Sequence, residues 1–101
     1  MPDGYSLPGV ILQGYIIVPE SDLQTVTEEL ENHTRLTLEE EGCLVFSISR
    51  DEATPGRFNV YEEFKDEQAF LAHQERVRLS RWGEITKSVE RHYHVEGLEE
   101  S

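Results

Sequence analysis

Two hydrophobic periods alternate along this chain, and the points where one gives way to the other mark its elements. Val10 to Val18 (VILQGYIIV) is apolar and β-branched, which predicts a strand ended by Pro19, with Gly14 as a bulge or a point of close approach. Ser21 and Gln24 match a capping box, so a helix is expected from there to about Glu41, stopped by Gly42. On its wheel Leu23, Val26 and Leu30 form the buried stripe, and His33, Thr34 and Thr37 continue that stripe in polar residues. A helix that only packs has no need of such a change. Cys43 to Arg50 (CLVFSISR) reads as a second strand and Asp51 to Gly56 (DEATPG) as a hairpin loop.

The next stretch, Arg57 to Gln74, switches period in the middle. In RFNVYEEF, Phe58, Val60, Glu62 and Phe64 alternate with Arg57, Asn59, Tyr61 and Glu63, a strand pattern with a carboxylate among the apolar positions. Asp66 is a good N-cap, and Glu67 adds negative charge to the first helical turn. Ala69, Phe70, His73 and Val77 then share one helical face, so an imidazole joins the apolar stripe. Two ionisable groups directed at one interior are expensive, which makes Glu62 and His73 the lead candidates for chemistry. Leu79 to Thr86 is a connector with room for a short helical turn and carries Trp82. Ser88 to Glu96 (SVERHYHVE) alternates as a last strand. The order β-α-β-β-α-β is that of an α+β, ferredoxin-like domain with an antiparallel sheet.

Composition narrows the partners. With 101 residues the chain makes one small domain, and 37% apolar residues is little for a self-sufficient core, so a homodimer is expected. A net charge of −12 would repel nucleic acid and anionic membrane surfaces alike. No run approaches the ~20 apolar residues of a membrane span, and the N-terminus lacks a basic-then-apolar signal. One cysteine, Cys43, suits a reducing compartment, and the cytoplasm is the expected location. Residues 1–9 read as an extended lead-in, 10–96 as the domain and 97–101 as an acidic tail.

Glu40 to Asp51 (EEGCLVFSISRD), Arg57 to Gln74 (RFNVYEEFKDEQAFLAHQ) and the element order together resemble the antibiotic biosynthesis monooxygenase family, over about Val10 to Val95. The resemblance implies a dimeric α/β barrel in which two sheets pack face to face. It also implies a cavity between sheet and helices for a small, often aromatic, ligand. Members of that family include cofactor-free oxygenases of anthrones and quinols, haem-degrading enzymes and an isomerase-like enzyme acting on a signalling sugar. Gln13 stands where the haem-degrading branch has an Asn, and Phe64 where that branch and the anthrone-oxidising branch have a Trp.

Within that frame His73, oriented by Glu62, would act as a general base on a phenolic or enolic proton, and the resulting anion would give an electron to O2 without cofactor or metal. A structural pair pinning helix to sheet is the other reading of the same residues. Trp82, Phe64, His33 and Thr37 are the candidate pocket wall, against the alternatives of core, interface or solvent-facing roles. Tyr61 and Asn59 face away from Glu62, toward the expected partner subunit. Cys43 has no second cysteine or basic neighbour in sequence, and His92 and His94 lack a third metal ligand at suitable spacing. No Gly-rich phosphate loop is present. The reading is a monooxygenase of a small aromatic, quinol or anthrone-type molecule. An isomerase of a small carbohydrate and a non-catalytic dimeric binding module remain open. A cavity touching both Glu62 and His73 would favour an enzyme.

Overall fold

The computed structural model describes residues 8–98, so most of the expected lead-in and the end of the acidic tail lie outside the described residues. Strands β1 (Val10–Ile17), β2 (Cys43–Arg50), β3 (Arg57–Phe64) and β4 (Glu90–Glu96) form one antiparallel sheet in the order β2-β3-β1-β4. Helices α1 (Leu23–Leu38) and α2 (Glu67–Arg78) and the short α3 (Arg81–Ile85) accompany it. This is the expected ferredoxin-like α+β architecture.

The alternation read along β3 becomes the division between core and opposite face. Phe58, Val60, Glu62 and Phe64 are all buried, whereas Arg57, Asn59, Tyr61 and Glu63 are partly exposed. Register carries that division across the sheet: Glu62 sits beside Leu12 of β1 and Phe46 of β2, and Leu12 in turn beside Val95 of β4. Two apolar clusters fill the covered face. One joins Ile16, Val18, Val26, Phe58, Trp82 and Val89, and the other joins Val10, Leu12, Val60, Phe64 and Phe70.

Gly14 is a close-approach point and not a bulge. It stays in register with Val60 and Tyr93, and a Cβ there would lie 1.9 Å from the His92 carbonyl oxygen. The irregularity falls instead in β2, between Cys43 and Val45.

Helix boundaries depart from the expectation at two places. Glu20–Asp22 form a 3-10 turn before α1, and the N-cap residue Asp22 makes no side-chain cap bond, so Ser21 and Gln24 do not form a capping box. Gln24 instead donates to Glu28, one turn along. At the other end α1 stops at Leu38, three residues short of Glu41, through a tightened last turn in which the Glu40 amide bonds to the Thr37 carbonyl. Glu40 is thereby released from the helix. Gly42 lets the turn lie against α2, since a Cβ there would come within 2.3 Å of the Ala69 Cβ. The start of α2 is as expected, with the Asp66 carboxylate accepting from the Ala69 amide at 2.8 Å. The connector holds a true helix, α3, capped by Ser80, whose hydroxyl accepts from the Gly83 amide at 3.1 Å. Among the described residues no helix is long and apolar enough to cross a membrane.

Candidate active site

A cleft of about 850 Å³ opens between the covered face of the sheet and the helices. Leu12 and Glu62 reach it from the sheet, His33 from α1, His73 from α2, Trp82 from α3 and Arg91 from β4. Three of the ionisable or polar groups singled out in the sequence therefore meet in one space with the tryptophan. Lys87 and Glu84, bonded to each other at 3.2 Å and both highly exposed, also line it.

Glu62 is only 6% exposed, and its Oε1 has no hydrogen-bond partner among the described residues. Burial, with Glu40 adding negative charge nearby, pushes its carboxyl up to about 7. A carboxyl in that range exchanges a proton readily at neutral pH, which an ordinary surface carboxylate does not.

His73 is oriented by a residue the sequence reading did not select. Its Nδ1 lies 2.9 Å from Glu40 Oε1, while its Nε2 is 3.8 Å from Glu62 Oε1, beyond hydrogen-bond range. Glu62 is thus a neighbour of His73 and not its orienting partner; Glu40 has that part. A carboxylate only accepts, so Nδ1–H donates to Glu40 and Nε2 carries the free lone pair facing Glu62. Burial lowers the His73 pKa, and Glu40 works against that by charge and hydrogen bond. Glu40 is held in turn by the Arg76 guanidinium, whose Nη2 donates to Thr37 Oγ1 at 2.9 Å.

His33 stacks flat on Trp82, ring centroids 4.6 Å apart and planes 2° from parallel, with the Phe46 ring edge-on at 5.2 Å. Burial first, then His73 and Arg76, lower its pKa to about 3, so it stays neutral, and its Nδ1 is a second buried atom without a partner among the described residues. Trp82 lines the cleft.

Thr37 and Phe64 are placed elsewhere. Thr37 is completely buried beneath Arg76 and does not line the cleft. Phe64 packs against Phe70 and against the His73 ring, at 5.6 and 4.9 Å between centroids, and buttresses the imidazole without facing the cleft. No pattern in the sequence marks Glu40 or Arg76, since Glu40 falls within the span expected for the helix. The only available signal was the three-residue spacing of Thr37 to Glu40 and of His73 to Arg76, which many surface helices share.

Other candidates stay outside the cleft. The Cys43 thiol is pushed up to about 11, chiefly by burial and then by Glu40 and Glu62, which keeps it protonated. His92 and His94 each pair with a glutamate two residues away on the opposite sheet face. Among the described residues no group of three or more His, Cys, Asp or Glu side chains is arranged to hold a metal ion.

Residues 9–84 match the model of the antibiotic biosynthesis monooxygenase family. The chain belongs to that family. Similar folds occur in a Nitrosomonas europaea protein provisionally described as an antibiotic biosynthesis monooxygenase. It has TM-score 0.75 and 21% identity, over 92% of this chain and 93% of that one. A Deinococcus radiodurans protein with the same provisional description gives TM-score 0.71 and 20% identity, over 91% of this chain and 94% of that one. PA3566 from Pseudomonas aeruginosa gives 0.69 and 20%, over 92% of this chain and 94% of that one. At such identities the likeness establishes the fold. No curated protein matches the chain. In this family member the matched stretch ends before β4, so Arg91 reaches the cleft from outside it.

Proposed function

We propose that the chain is a monooxygenase that oxidises a small aromatic, quinol or anthrone-type molecule with O2 in the cleft, without a cofactor. The observation that carries this reading is the meeting of two unpartnered buried polar atoms, Glu62 Oε1 and His33 Nδ1, with the His73 imidazole around an open cleft. Buried polar atoms ordinarily have partners, and a ligand hydroxyl or carbonyl would supply them here. An open cleft touching both Glu62 and His73 also favours an enzyme over a binding module with a closed pocket.

The chemistry follows from the protonation states. His73 Nε2 or the Glu62 carboxylate takes a phenolic or enolic proton, and Glu40 stabilises the imidazolium if His73 is the acceptor. The electron-rich anion gives one electron to O2, and the two radicals combine at carbon. For an anthrone-type CH2 the peroxide then breaks down to a carbonyl and water, so the substrate's two C–H bonds supply all the electrons and no external reductant is needed. His33 stacked on Trp82 forms a flat wall suited to an aromatic ring.

Two copies would pair through the helix-free face of the sheet, which presents Ile11, Tyr15, Ile17 and Tyr61 at least partly exposed, together with the exposed Val45. Tyr15→Glu is expected to turn a dimer into a monomer in light-scattering chromatography, and an unchanged mass would refute this pairing.

Oxygen uptake is measured with a panel of quinols, anthrones and polyphenols, beside His73→Ala. Uptake above background that disappears in the variant is the expected result. Absence of uptake with every compound would overturn the oxygenase.

A further inference from the structure

His73 borders two cavities. Besides the main cleft, a depression of about 450 Å³ between the α1–β2 turn and α2 reaches it past Glu40, Ala72 and Arg76. Glu62 lines the cleft and not the depression; Glu40 lines the depression and not the cleft. His73 alone of the three lines both, with Nε2 3.8 Å from Glu62 Oε1 and Nδ1 2.9 Å from Glu40 Oε1. The Glu40 side chain is 21% exposed, against 3% for His73 and 8% for Glu62. Phe46 and Phe64 cover the imidazole from the sheet, and His33 approaches from α1 with its ring centroid 6.1 Å away.

We propose that Glu62, His73 and Glu40 form a proton path from the cleft to the water of the second depression, with Glu40 as its outer proton acceptor. The proposal rests on the reading that the cleft deprotonates its ligand. A planar ligand seated in the cleft displaces the water there, and Glu62 then needs another way to release the proton it has taken. In the outward step the Glu62 O–H bond breaks as Nε2–H forms, and Nδ1–H breaks as a proton joins the Glu40 carboxylate, which passes it to water. One proton crosses, and the imidazole is left with its proton on Nε2. The inward step, when the departing oxygen is protonated, runs the same transfers backward and restores Nδ1–H. The 3.8 Å gap between Glu62 and Nε2 closes by a side-chain shift, as such contacts often do once a ligand is bound. Arg76, anchored on Thr37, holds the Glu40 carboxylate aimed at Nδ1 between transfers.

The test needs no substrate, so it stands apart from the oxygenase reading. In protein labelled with nitrogen-15 at histidine, magnetic resonance gives the His73 tautomer and the rate at which its Nδ1 proton exchanges with water. Glu40→Gln retains an acceptor for Nδ1–H but cannot take the proton. The tautomer is expected to persist while exchange slows at least tenfold, and added formate should restore it. Ala72→Phe, which covers the depression and leaves all three groups in place, should slow exchange to a similar extent. Wild-type exchange in Glu40→Gln would leave Glu40 as an orienting group and overturn the path. Slowing in Glu40→Gln with none in Ala72→Phe would overturn the depression as its exit. Failure of the oxygen-uptake panel would leave both measurements interpretable.

Discussion

On the helix-free face of the sheet, Tyr61 bonds to Glu63, His92 to Glu90 and His94 to Glu96, each pair two residues apart on one strand. Arg57 lies over the Tyr15 ring at 3.8 Å and donates to Asn59. On the covered face, residues of the same chemical types are treated differently. Glu62 and His33 each keep an unpartnered buried atom, and both are driven far from their ordinary pKa values by burial. A polar side chain on the first face finds a neighbour at the period of two that the strand itself provides. On the second face its neighbours along the strand are apolar, and partners come only from other elements or from a ligand. The comparison locates stored electrostatic cost on one side of a single sheet, and it is the side with the cleft.

Removing a histidine from each face should give the largest contrast. His73→Ala is expected to lower oxygen uptake by about 100-fold or more, the usual scale for losing a general acid–base group, while the folded state persists. His94→Ala should change turnover by less than about twofold. Comparable losses from both would remove the functional distinction between the faces.

The next effects are on stability, and their signs oppose each other. Glu62 ionises near 7 in the fold and near 4.5 when unfolded, so the unfolded chain releases this proton first and the Glu62 contribution to stability falls as pH rises between those values. The shift corresponds to about 3 kcal/mol, and because His33 works in the opposite sense below 6.5, Glu62→Gln should leave stability in urea unfolding rising up to about pH 6.5 instead of levelling off. His33 is protonated in the fold only near 3, against 6.5 when unfolded. Its contribution is complete above 6.5 and is lost as pH falls toward 3, by about 3 kcal/mol at pH ~4, and His33→Phe should flatten that limb. The two limbs place maximum stability at about pH 5 to 6.5. A profile unaltered by either substitution would contradict the assigned burial costs.

The smallest expected effect lies on the helix-free face. Arg57→Gln removes a cation from above the Tyr15 ring and should cost about 0.5–1 kcal/mol in the same unfolding measurement. A loss as large as the pH-linked ones would mean that this face, too, holds desolvated charge.

Much of this contrast was legible in the chain. The alternation in RFNVYEEF directs Glu62 inward, and the stripe Ala69, Phe70, His73 and Val77 directs His73 inward, whatever the partners are. What could not be read was their relation. Pairing His73 with Glu62 followed from both pointing to the same layer, but a layer is several ångströms deep and a hydrogen bond is not. The polar end of the α1 stripe was similarly ambiguous: His33 reaches Trp82 in the cleft, whereas Thr37, one turn on, is buried under Arg76.

Local sequence by itself determined the elements, the order of α and β, and which side chains enter the interior, because the periods of strand and helix are properties of the backbone. Tertiary structure decided that Glu40 holds His73 and that Phe64 buttresses the ring. It also decided that β4 brings Arg91 to the cleft. The Glu40–His73 contact depends on α1 ending at Leu38 and on how closely the Gly42 turn meets α2. The second is set by contacts between elements distant in sequence, where a shift of one ångström separates a hydrogen bond from a mere neighbour.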